Sequence, residues 1–167
     1  MQTELLSNTF LTLRLAHGTN PSGADYQYIL LPGASEAQTA AYSAAPEVTV
    51  ISNTAEVQAV HENTLNLTGY NFWRDQITTA GQLTSSKKAS VMLKIDDSEG
   101  VAELAVADPT LENAGIIELE LQRSAAEVLG KDERIQVMQL SPAVKLKVNV
   151  ADTLGKSLKI SLRLGEE

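Results

Sequence analysis

Apolar side chains recur at every second position along much of this chain, the period that turns one side of an extended backbone toward a core. Ile117, Leu119 and Leu121 share one face of residues 116–121. The same alternation runs through 134–140 (RIQVMQL), 144–150 (VKLKVNV) and 157–164 (SLKISLRL), with Lys and Arg on the solvent side. Leu154-Gly155-Lys156 reads as the turn that makes the last two a meander. Upstream, 48–51 forms a strand turned by Ser52, Asn53 and Thr54. Residues 56–62 resume it, with Val57, Ala59 and His61 opposing Gln58 and Val60. Residues 63–70 carry turn and strand signals and are expected to end at Gly69. Residues 78–88 (TTAGQLTSSKK) read as a polar loop, 90–95 and 101–106 as paired strands around a turn at 96–100, and Asp108-Pro109-Thr110 as a break. Residues 123–131 fit either a helical turn or a strand and loop.

The first part of the chain is punctuated differently. Phe10, Leu11, Leu13 and Leu15 lie in a predicted strand, 9–16, that stops at His17-Gly18. Gly18, Asn20, Pro21 and Gly23 supply loop chemistry, through tolerance of positive φ and through a fixed φ without a donor. Tyr26 and Tyr28 open a second strand, 26–31, expected to return antiparallel to the first, and Pro32-Gly33 ends it. Ser35 with Gln38 three residues on is a capping box for a short helix, 35–45, ended by Pro46. Roughly ten short strands with regular turn signals predict an all-β chain, an antiparallel β-sandwich with one short helix, preceded by a hairpin from a larger central sheet. The expected boundary leaves 1–34 as the end of that central sheet and 35–167 as the sandwich.

The segment from Leu15 to Tyr42, with its HGTNP loop and YQYILLPG strand, resembles the end of the central β domain of family 8 polysaccharide lyases, the hyaluronate, chondroitin AC and xanthan lyases. Further similar pieces follow in the family's order: VTVISNTAEVQAV at 48–60, Asn71-Phe72-Trp73, and VADPT at 106–110. The resemblance implies a C-terminal β region of an enzyme that cleaves uronate-containing glycans by β-elimination. Such chemistry needs a base, an acid for the leaving oxygen and groups that neutralise the carboxylate. In the family that apparatus lies mainly in an upstream α-helical domain. This chain alone is therefore expected to be inactive, with that helical domain as its partner and an acidic polysaccharide as the substrate of the whole. No cofactor or metal is implied. An autonomous carbohydrate-binding module is the alternative, and a plain structural domain a third.

Composition narrows the partners. The chain has 167 residues, 43% of them hydrophobic, and a net charge of −8. An acidic chain is a poor fit for nucleic acid, whose phosphates are bound chiefly by Lys and Arg, so no nucleic-acid partner is expected. Nor does any apolar run reach membrane-spanning length. With no cysteine there is no disulfide framework or thiol nucleophile. The family implies secretion, yet residues 1–8 show no signal-peptide pattern, so Met1 is expected to be an excised or truncated start. An exposed strand edge on the first hairpin would promote self-association.

Four residues stand out as candidate glycan contacts: His17 and Asn20 in the first loop, and Trp73 with Arg74. Trp73 has two readings, a stacking platform for a sugar ring or a buried anchor of the sandwich, and the buried one is favoured here. Phe72 beside it must point to the opposite face. His61, on an apolar face, is expected to be structural, and Asp96, Asp97 and Glu99 a solvated turn, since their spacing lacks the order of a calcium loop. Lys87-Lys88 with Arg74 is the one basic cluster before the C-terminal strands. Asn66-Leu67-Thr68 fits a glycosylation pattern that carries little weight in a chain of bacterial appearance.

Overall fold

The computed structural model describes Asn8, Phe10 and residues 12–165. It divides into two compact units, Met1–Ala34 and Ser35–Glu167.

In the first unit, the described residues 12–31 contain no strand, so the hairpin predicted from 9–16 and 26–31 does not form. Thr9 and Leu11 of that prediction lie outside the described residues, as do residues 1–7. Leu13, Leu15, Tyr26, Tyr28, Ile29 and Leu30 are exposed. The physical reason is that a two-stranded ribbon joined by a long loop buries too little surface to hold its ladder. The self-association expected at its edge loses that basis. The punctuation is as expected, with Gly18 at φ 80°, Asn20 at 52° and Gly23 at 65°. At Pro32-Gly33 the amide of Ala34 donates to Leu31 O at 3.2 Å.

The second unit opens with α1 (Glu36–Ala44), capped as expected: Ser35 N donates to Gln38 Oε1 at 2.8 Å and Gln38 N to Ser35 Oγ at 3.3 Å. Twelve strands follow: β1 (Val48–Asn53), β2 (Val57–Glu62), β3 (Leu67–Phe72), β4 (Thr78–Ala80), β5 (Leu83–Ser85), β6 (Ala89–Asp96), β7 (Val101–Ala107), β8 (Ile116–Leu121), β9 (Ala125–Lys131), β10 (Ile135–Gln139), β11 (Val144–Asn149) and β12 (Leu158–Leu164). They build a seven-stranded sheet in the order β1-β2-β3-β6-β7-β12-β9 and a five-stranded sheet in the order β10-β11-β8-β5-β4. Every strand pairing is antiparallel. The alternating apolar residues of both sheets meet in one core, with Phe72, Leu93, Leu104 and Leu162 from one side and Leu83, Ile117, Leu121 and Leu146 from the other. This is the β-sandwich the alternation predicts.

Three local readings change and a fourth is decided between its alternatives. The polar loop at 78–88 contains the β4–β5 hairpin, in which Ala80 pairs with Leu83 across Gly81-Gln82. Gly81 has φ 51°, the positive value that a tight turn of the II′ kind needs at its first central residue. Of the two readings of 123–131, the strand and loop is the one that forms, with β9 confined to Ala125–Lys131. Gly69 sits in the middle of β3, not at its end. Finally, β11 and β12 are no meander: β11 lies between β10 and β8, and β12 between β7 and β9. The intervening turn, with positive φ at Asp152, Leu154 and Gly155, carries the chain from one sheet to the other.

Candidate functional site on the seven-stranded sheet

The register of the large sheet places residues far apart in sequence side by side on its outer face. Val50 pairs with Val60, Val60 with Gly69, Gly69 with Met92 and Met92 with Ala105, making an apolar row across five strands. Gly69 contributes no side chain, and nothing lies within 4 Å of where a Cβ would stand. The next row is polar: Gln58 pairs with Asn71, and Asn71 with Ser90. The Ser90 hydroxyl donates to Asn71 Oδ1 at 2.7 Å.

Trp73 closes this polar row. Its main-chain N–H donates to Glu56 O at 2.9 Å, which extends the β2–β3 ladder one residue beyond Phe72. Alternation then sends Phe72 inward and Trp73 outward, onto the face of Asn71. Phe72 is 1% exposed and stacks on Tyr70 with ring centroids 6.0 Å apart. Trp73 is 40% exposed, and its indole N–H donates to Gln58 Oε1 at 2.9 Å. The expectation of a buried Trp73 is corrected here: the core position belongs to its neighbour.

The other candidates are placed plainly. Arg74 follows Trp73 and is exposed. The basic cluster does not gather as an unpaired patch, because Lys88 Nζ lies 3.5 Å from Asp75 Oδ2. His17 and Asn20 belong to the first unit and are exposed there, with the His17 ring 6.3 Å from that of Tyr26. His61 Nδ1 sits 2.9 Å from Thr68 Oγ1, a satisfied structural position. Asp96 Oδ1 accepts from Ser98 Oγ at 2.6 Å, Ser98 N at 3.1 Å and Glu99 N at 3.0 Å. Those bonds, the Ser98 hydroxyl first, hold its carboxyl below the usual carboxylate range. Asp97 accepts from Asn66 Nδ2 at 3.0 Å, which ties this turn to the one between β2 and β3. Among the described residues no three His, Asp or Glu side chains are grouped to hold a metal ion.

Three residues of the polar row, Gln58, Asn71 and Ser90, are not among the candidate contacts that the sequence offers. Alternation marks each as outward-facing, but only register shows that they are neighbours.

A two-sheet antiparallel sandwich with an indole and ordered amides on one outer face is the class of domain these strands define. Two family models match in succession: the super-sandwich domain of polysaccharide lyase family 8 over residues 1–43 and its C-terminal β-sandwich domain over 49–117. The chain belongs to polysaccharide lyase family 8. It is 47% identical over 162 residues to the xanthan lyase of Bacillus sp. (strain GL1), covering 97% of this chain and 17% of that protein. A hyaluronate lyase of Thermasporomyces composti is 29% identical over 160 residues, 95% of this chain and 20% of that one. Among solved structures, Paenibacillus xanthan lyase superposes with a TM-score of 0.77 at 41% identity, over 81% of this chain and 13% of that chain. The Streptomyces coelicolor A3 chondroitin AC lyase in complex with chondroitin sulphate gives 0.78 at 31% identity, over 89% and 19%. The chain thus spans about a fifth or less of the length of these relatives.

Proposed function

We propose that this chain is a non-catalytic C-terminal β region of a polysaccharide lyase, one that cleaves uronate-containing glycans by β-elimination. It supports an α-helical catalytic domain supplied elsewhere in the longer protein and flanks the substrate cleft. The observation that carries this reading is the succession of super-sandwich and C-terminal sandwich matches along one chain, each in the family's order. The side chains agree with a supporting role. His61 is engaged by Thr68 within the sheet. Burial pushes the Tyr70 hydroxyl above the ordinary tyrosine value, and that group faces the core rather than a substrate. A polymeric substrate too large to enter a cell also argues for secretion of the whole protein.

The test is direct. The chain is incubated with xanthan, hyaluronan and chondroitin sulphate while ultraviolet absorbance of the new double bond is followed. No growth above a buffer control is expected. Product that appears with the folded chain and vanishes on denaturation would overturn the reading. The exposed apolar residues of the first unit, Tyr28 and Leu30 among them, are where self-association would run, and sedimentation at rising concentration measures it.

The half-exposed Trp73 favours a second reading, a carbohydrate-binding module that holds glycan without cleaving it.

A further inference from the structure

Trp73 is the one tryptophan of the chain. The residue is 40% exposed although its polar handle is already satisfied by Gln58 Oε1. A ring tethered this way keeps one orientation and offers solvent a flat apolar surface. Gln58 uses its amide oxygen on that bond, which leaves Nε2 as its donor. Asn71, the cross-strand partner of Gln58, uses its oxygen on Ser90 and is left with Nδ2. Three side chains on two adjacent strands therefore present an apolar plane beside two amide donors, their geometry fixed before anything binds.

We infer that this row is a subsite for one pyranose ring of a polysaccharide. A pyranose carries an apolar face of C–H groups and a rim of oxygens. Its face would lie on the Trp73 indole, and its rim oxygens would accept from Gln58 Nε2 and Asn71 Nδ2. Pre-organisation matters here because each mobile side chain fixed on binding subtracts from affinity. The choice of a glycan as ligand rests on the lyase reading above. The apolar row through Val60 and Met92 is a rival use of the same face, as a seat for protein, and it would cover Trp73. The donors are neutral, so binding reads oxygen positions rather than net charge. In a chain of net charge −8, that is the mode by which an acidic glycan is held without a basic patch.

The experiment titrates the full chain with oligosaccharides of xanthan, hyaluronan and chondroitin sulphate while following indole emission, which reports this site alone. A saturable change is expected with at least one of them. Its midpoint should hold within about twofold between about 0.05 and 0.5 M NaCl, since salt screens charges and not neutral hydrogen bonds. Asn71→Ala should weaken binding about tenfold with an unaltered thermal midpoint, as loss of an oriented hydrogen bond predicts. Trp73→Ala, followed by retardation in a polysaccharide gel, should abolish it. Unchanged emission with all three glycans overturns the subsite, as does binding that survives Trp73→Ala, or binding that high salt abolishes. So does an indole that acrylamide cannot quench, which would mean protein covers it. Glycan cleavage by the chain would instead remove the lyase-support reading and leave the binding result standing.

Discussion

Phe72 and Trp73 are adjacent in sequence and opposite in environment, so truncating each in turn measures which one the sandwich depends on. Phe72 is 1% exposed and packed on Tyr70. Phe72→Ala removes that ring and leaves a void between the sheets, a change that costs about 3–5 kcal/mol. For Trp73 the loss is smaller. An aromatic side chain buries about 150–250 Å² when fully enclosed. With 40% of Trp73 in solvent, roughly 100–150 Å² is covered. At about 25 cal/mol per Å² that is at most roughly 2.5–4 kcal/mol, and the surviving alanine and a compact unfolded chain reduce it. No closed cavity remains, because water fills the place of an exposed ring. Trp73→Ala should therefore cost about 1–2.5 kcal/mol. Urea unfolding read by circular dichroism suits both variants. With a slope of about 1–3 kcal/mol per molar urea, a gap near 2 kcal/mol separates their midpoints by roughly 1 M. Equal losses, or a larger one for Trp73→Ala, would refute the assignment of the indole to the outer face.

Three further perturbations test other parts of the sandwich. Asp108 is buried, which pushes its carboxyl up, but bonds from Asn113 N at 2.8 Å, Thr110 N at 3.0 Å and Thr110 Oγ1 at 2.8 Å outweigh burial and hold it below the usual range. A lowered folded pKa contributes stability above the unfolded value of about 4 and loses it as pH falls through the folded one. Asp108→Asn should thus cost about 1–3 kcal/mol at pH 7, with the gap to wild type closing in acid unfolding below about pH 4. Gly155 holds φ 77°, so Gly155→Ala should cost about 1–2 kcal/mol in thermal unfolding. A Cβ there would also stand 2.6 Å from Leu111 Cδ2, but that exposed side chain can swing away, so Leu111→Ala should rescue little. Ser35→Ala removes the cap of a helix that buries none of its residues, so amide protection over 36–44 should fall by about 1 kcal/mol while the sandwich melts unchanged.

Strand faces were legible because burial imposes a period that the residues carry openly. Ile117, Leu119 and Leu121 are buried together, as are Val144, Leu146 and Val148. What the period leaves out is the identity of the neighbouring strand. VKLKVNV and SLKISLRL alternate alike whether they pair or belong to separate sheets, and they belong to separate sheets. The β4–β5 hairpin escaped because three-residue strands are too short to show a period, although Gly81 followed by a polar residue is the mark of its turn. At β9, where only Ala125 is fully buried, an edge strand leaves most of its side chains in solvent and the pattern dissolves. Residues 12–31 show the reverse case: their strand-like composition is real, but a strand needs a sheet to complete it.

The inversion of Phe72 and Trp73 has its cause in the phase of β3. Size and hydrophobicity favour the indole for a core, and alternation alone says only that the two rings part company. The phase is set by what else shares each face. Thr68, Tyr70 and Phe72 fall on one side of β3, and Gly69, Asn71 and Trp73 on the other. On the inner side Tyr70 stands between Ala59 and Val91, and Phe72 between Val57 and Ala89. All six of those inward side chains are at most 3% exposed. To bury Trp73, the strand would have to slip by one residue, placing Asn71 in the core and Tyr70 in water. Asn71 would then need buried partners for its amide, whereas on the outer face it meets Ser90 at 2.7 Å. Gly69 and Asn71 thus decide the exposure of Trp73 more firmly than the indole's own preference does. The same slip-proof register keeps the ring next to Gln58, where its face stays open and its N–H does not.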